Sequence, residues 1–129
     1  MSTEKKDAIL IIEDEVSLRT ALHEKFVREG FTVYEAKDGR QGLAIALREQ
    51  PQVILLDMMM PKLDGMALLE LVRSRNTWGE RVPVLLLTNV GADDKTIMKK
   101  IAADKATQYL VKSNWTMNQI VEKVREALA

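Results

Sequence analysis

The run Ala8-Ile9-Leu10-Ile11-Ile12 stops abruptly on Glu13-Asp14, and this junction decides how the rest of the chain is read. Five apolar residues without alternation predict a strand buried on both faces, as in a parallel sheet covered by helices. Three further runs repeat the design: residues 53–56 end on Asp57, 84–87 on Thr88 and 108–111 on Lys112. A fifth run, residues 31–36, alternates through Thr32-Val33-Tyr34-Glu35 and is expected at a sheet edge. Helical stripes lie between and after the runs: Leu18, Ala21, Leu22 and Phe26; Ile97, Met98 and Ile101; Ile120, Val121, Val124 and Leu128. Residues 42–47 and 66–72 carry the same period less cleanly. Thr116 and Gln119 have capping-box spacing, and Gly30, Lys37-Asp38-Gly39 and Gly79 read as turns. Strand–helix alternation repeated five times predicts an α/β fold, a parallel sheet with helices on both faces.

A chain of 129 residues suits a single domain, 1–129, with residues 1–7 as a polar N-terminal tail. Nineteen Lys+Arg balance nineteen Asp+Glu, so no general electrostatic pull toward nucleic acid or acidic lipid is expected. The absence of Cys excludes disulfides, thiol catalysis and zinc sites with Cys ligands, and fits the cytoplasm. The N-terminus lacks the apolar core of a signal peptide, and no apolar run is long enough to span a membrane.

In an open α/β sheet the carboxyl ends of the strands share one edge, where ligands bind. Glu13, Asp14, Asp57, Thr88 and Lys112 are therefore expected in one crevice. Two carboxylates about 5 Å apart at an effective dielectric of about 20 repel by on the order of 3 kcal/mol, so such a cluster calls for raised pKa values or a cation. Hard oxygen donors without His or Cys point to Mg²⁺ shared with a phosphate. Lys112 and Thr88 suit the oxygens of a transferring phosphoryl group, and a carboxylate can accept that group as an acyl phosphate. The inferred chemistry is Mg²⁺-dependent phosphorylation of an aspartate.

The ordered set Glu13-Asp14, Asp57 with Met60-Pro61 and Asp64-Gly65, Thr88, and Tyr109-Leu110-Val111-Lys112 resembles the receiver domain of two-component response regulators, over about residues 8–128. The resemblance implies a flavodoxin-like, doubly wound five-stranded sheet of order 2-1-3-4-5. It implies Asp57 as phosphoacceptor, charged from a phosphohistidine on a sensor histidine kinase or histidine phosphotransfer protein. Glu13, Asp14, Asp57 and the main-chain carbonyl of Met59 would hold Mg²⁺. Lys112 would pair with the phosphoryl group, while Thr88 and Tyr109 would act as the switch toward a downstream protein partner. Nothing but the final helix follows the last strand, so a stand-alone switch or relay, not a turnover enzyme, is expected.

Three positions depart from the family's usual pattern. Ser113 replaces the proline after the lysine, Asn89 replaces a small residue after Thr88, and Lys105-Ala106 replaces Gly-Ala before the last strand. The first makes the position of Lys112 the point to check. Met58-Met59-Met60 reads as a loop packed beside the site, with a partner groove as the other possibility. Apolar Met59 and Val90 offer no group to orient an attacking water, so slow autodephosphorylation is expected. Lys95, Lys99, Lys100 and Trp115 would line the face around the family's fourth and fifth helices, a candidate partner or homodimer surface. His23 is expected on the surface.

Other readings are a receiver-like interaction module that is never phosphorylated, an aspartyl-phosphate phosphatase, and a flavin carrier. The phosphatase needs a second Asp where Met59 stands. The flavin carrier needs a phosphate-binding first loop, where Glu13-Asp14-Glu15 would repel the ligand.

Overall fold

The computed structural model describes residues 6–58, 65–88, 108–112 and 115–129. Five strands, β1 (Ala8–Ile12), β2 (Thr32–Ala36), β3 (Val53–Asp57), β4 (Val84–Thr88) and β5 (Gln108–Val111), form one sheet of order β2-β1-β3-β4-β5. Every neighbouring pair is parallel. The described helices are α1 (Val16–Arg28), α2 (Gly39–Glu49), α3 (Gly65–Arg75), α4 (Thr77–Arg81) and α5 (Met117–Leu128). The expected doubly wound architecture and strand order are both present.

Strand geometry sends successive side chains to opposite faces, which divides the apolar runs between two cores. Leu10, Ile12, Ile54, Leu56, Val84 and Leu86 pack under α2 and α3, against Ala46, Met66, Leu69 and Val72. Ile9, Ile11, Val53, Leu55, Leu85, Leu87 and Leu110 pack on the other side, against Leu22 and Phe26 of α1 and Ile120, Val121 and Val124 of α5. Both central faces are therefore dry, which is why those runs do not alternate. β2 is an edge, as its alternation predicted, and β5 is the other edge.

Helix termini follow local chemistry. Asp38 caps α2 by accepting from the Gln41 N–H, and Thr116 with Gln119 forms the full capping box of α5. Gly79, read from sequence as a turn, instead lies inside α4, where its N–H donates to the Asn76 cap. Five residues are too few for an apolar period to register. A Cβ at Gly79 would collide with the carbonyl oxygen of Val72, so α3 and α4 approach closely there. The helical stripe at Ile97, Met98 and Ile101, the three lysines of the candidate partner face, and Lys105-Ala106 lie outside the described residues.

Candidate functional site

The register of β1, β3 and β4 brings the ends of these strands side by side. Ile12 pairs with Leu56, and Asp57 with Leu87, so Glu13 and Asp14 emerge beside the end of β3. Asp57 and Thr88 are the last residues of β3 and β4, one position beyond the apolar runs. The polar side chain ends the hydrophobic pattern there, while the backbone continues to pair.

Glu13, Asp14 and Asp57 each present a carboxylate oxygen, and these atoms all lie within 4.8 Å of one another. Glu13 is 0% exposed and Asp57 3%, whereas Asp14 opens to solvent. The Lys112 Nζ lies 2.8 Å from Glu13 Oε1 and 3.4 Å from Asp57 Oδ2. Lys112 thus reaches both buried acids even though Ser113 stands in place of the family's proline. Burial opposes the charge on Lys112, but hydrogen bonding to Glu13 and the negative charges of Asp57 and Glu13 outweigh it and raise its pKa. Burial likewise opposes ionisation of Asp14. Hydrogen bonding to its own backbone and the charge of Lys112 work against that burial, and its pKa lies below the usual range.

Glu13 is fixed from several directions. Its N–H donates to the Ala36 carbonyl at 3.0 Å, and its Oε2 accepts from the Glu15 N–H at 3.1 Å. Its carbonyl accepts from Arg19 Nη1 at 2.8 Å. Arg19 was not singled out from the sequence, because an arginine among the polar residues of an amphipathic helix looks like a solvated one.

Next to Asp57, Gly65 opens α3 and donates its N–H to the Met58 carbonyl at 3.1 Å. A Cβ there would lie 2.7 Å from the Asp57 carbonyl oxygen and 2.8 Å from Met58 Cα, so only glycine permits this approach. Met58 is buried in the core on the α2–α3 side, in keeping with a packing role.

Thr88 ends β4 in register with Val111, and Tyr109 pairs with Leu86. Their side chains, together with Met59, Asn89, Val90 and Ser113, lie outside the described residues. His23 is half-exposed on α1, with Nδ1 3.1 Å from Glu35 Oε2.

The cluster offers only oxygen donors. Among the described residues, three carboxylates against one ammonium leave a formal charge of −2, which suits a hard divalent cation. The acidic pocket can therefore take a metal ion.

Fold and site define a doubly wound α/β protein with an acidic crevice at the carboxyl edge of its sheet. Residues 9–125 match the response regulator receiver domain family, and the chain belongs to that family. A probable transcriptional regulator ycf27 from Porphyridium aerugineum is 33% identical over 125 residues, covering 96% of this chain and 49% of the relative. The sporulation initiation phosphotransferase F of Bacillus subtilis is 34% identical over 88 residues, 68% of each chain. This chain spans about half the length of the ycf27 relatives it matches. Among solved structures, the chemotaxis response regulator CheY4 of Vibrio cholerae superposes with a TM-score of 0.87 at 26% identity, covering 96% of this chain and all of that one. No described helix is long and apolar enough to cross a membrane.

Proposed function

We propose that this receiver domain accepts a phosphoryl group on Asp57 from a phosphohistidine of a sensor kinase or phosphotransfer protein. The observation that carries the reading is the placement of the Lys112 ammonium against Asp57 inside a three-carboxylate cluster. An Asp57 carboxylate oxygen attacks phosphorus and the phosphorus–nitrogen bond breaks. The electron pair stays on the imidazole nitrogen, and with a proton on its other ring nitrogen the leaving group is neutral histidine. Lys112 neutralises charge on the transferring oxygens, and the Thr88 hydroxyl donates to the product phosphoryl group. Glu13, Asp14 and Asp57, with the Met59 carbonyl, would hold Mg²⁺, which when bound offsets the negative charge of the incoming group. The product is an acyl phosphate carrying about −1.5 to −2 charge, if it ionises as other phosphoryl groups do. Thr88 and Tyr109 relay this change to a downstream protein partner.

Incubation with Mg²⁺ and acetyl phosphate, followed by intact-mass measurement, tests the assignment. A hydroxylamine-labile adduct is expected on the wild type and not on Asp57→Asn. An adduct that persists in the variant, or none with any donor, refutes it.

A further inference from the structure

Arg19 lies in the first helical turn after the acid pair and reaches back to the strand end. Its backbone N–H closes the first turn of α1 onto the Glu15 carbonyl at 2.9 Å, which fixes where the side chain starts. From there Nη1 donates to the Glu13 carbonyl at 2.8 Å in a partly buried setting. That peptide group joins Glu13 to Asp14. Its carbonyl direction helps set the torsions that aim both carboxylates, and Asp14, open to solvent, has less packing to hold it than Glu13 or Asp57.

We infer that Arg19 is a positioning residue for the cation site, acting through the Glu13–Asp14 peptide and not by contact with the cation. The inference rests on the proposed Mg²⁺ site and adds to it the group that orients its acids. It also separates two physical effects of opposite sign. As a mere positive charge near the pocket, Arg19 would repel a dication, so its removal would tighten Mg²⁺ binding. As a clamp, its removal frees the peptide, and ordering that peptide anew on binding weakens affinity.

Titration calorimetry with Mg²⁺ on wild type, Arg19→Gln and Arg19→Lys distinguishes these effects. The expected result is weaker binding by about threefold to tenfold in both variants, because lysine keeps the charge but its stem ends one atom short of Nη1, the nitrogen that reaches the Glu13 carbonyl. Val124→Ala, a buried core change on α5, is the control for general destabilisation and is expected to leave Mg²⁺ affinity unchanged. Unchanged or tighter binding in Arg19→Gln, or wild-type affinity in Arg19→Lys, overturns the inference while leaving the Mg²⁺ site standing. If Val124→Ala weakens binding as much, the clamp is equally overturned. Absence of Mg²⁺ binding by the wild type refutes the site itself. Should Arg19→Gln fail to fold, the result for Arg19→Lys decides.

Discussion

Lys112 and Glu13 form a close ion pair, 2.8 Å between Nζ and Oε1, with the lysine side chain 14% exposed and the glutamate 1%. Asp57 lies farther from the same ammonium, at 3.4 Å, so Glu13 holds the lysine at least as firmly as Asp57 does. Removing one partner of a buried pair leaves the other charge uncompensated. Lys112→Met is expected to cost about 3 kcal/mol at neutral pH, the lower end of the usual range because the lysine keeps some solvent contact. Urea unfolding measures this cost. A variant as stable as the wild type would contradict the electrostatic account.

The alkaline limb gives a second test. The folded pKa of Lys112 stands above its ordinary 10.5, through the opposing effects described above. A cation whose pKa is raised by folding contributes stability in full below its unfolded pKa and loses it as pH rises through the folded value. The stability difference between wild type and Lys112→Met should therefore stay level from neutral pH to about 10 and fall at higher pH. A difference that declines already between pH 7 and 9 would show that the lysine is not held this way.

The sheet and the four converging groups were legible because each strand ends its apolar run where the backbone reaches the sheet edge. Glu13, Asp14, Asp57 and Lys112 interrupt hydrophobic runs, and such interruptions are visible in one dimension. Arg19 and Gly65 were less so. Their roles depend on a side chain folding back six residues and on a helix start meeting the end of β3, neither of which has a hydrophobic signature. Gly79 misled for a related reason, since capping by Asn76, not amphipathic periodicity, defines its five-residue helix. Gln50 gave no sign either: it closes α2 at φ +44°, a left-handed position that glycine usually occupies.

That last position yields a simple prediction. Gln50 donates its N–H to the Ala46 carbonyl, and this bond survives substitution. Gln50→Gly relieves the steric cost of a left-handed residue, about 1 kcal/mol, against a smaller entropic loss in the unfolded chain. A rise of up to a few degrees in the unfolding midpoint is expected, and a clear fall would show that the Gln50 side chain contributes more than its conformation costs.

Gly65→Ala should act in the opposite direction. An alanine at a helical position gains up to about 1 kcal/mol in propensity, and less in the first turn. Its methyl would press on two backbone atoms, the Asp57 carbonyl oxygen and Met58 Cα, neither of which can rotate away. Overpacking of that kind costs about 1–3 kcal/mol, so net destabilisation wins. Because the pressure falls on the peptide of Asp57, the proposed acceptor, the rate of adduct formation with acetyl phosphate should fall as well. Loss of stability without any change in rate would mean that the strand end moves as a unit and keeps the site's geometry.

Mg²⁺ in the proposed site would tie that site to the stability of the fold. Burial of Glu13 and Asp57 beside Asp14, with the Lys112 ammonium the one such group near them among the described residues, leaves repulsion that the folded state carries and the unfolded chain sheds by separating the acids. A dication bound only by the folded state recovers this and adds its own binding energy, about 2.7 kcal/mol at a concentration of 100 times Kd. Thermal unfolding is therefore expected to shift upward with added Mg²⁺ and to return on chelation. Asp57→Asn removes one ligand but also one repelling charge, while Glu13 still holds Lys112 at 2.8 Å. That variant should be at least as stable as the wild type without Mg²⁺, yet gain much less from its addition. An equal Mg²⁺ shift in both proteins would locate the cation away from this cluster.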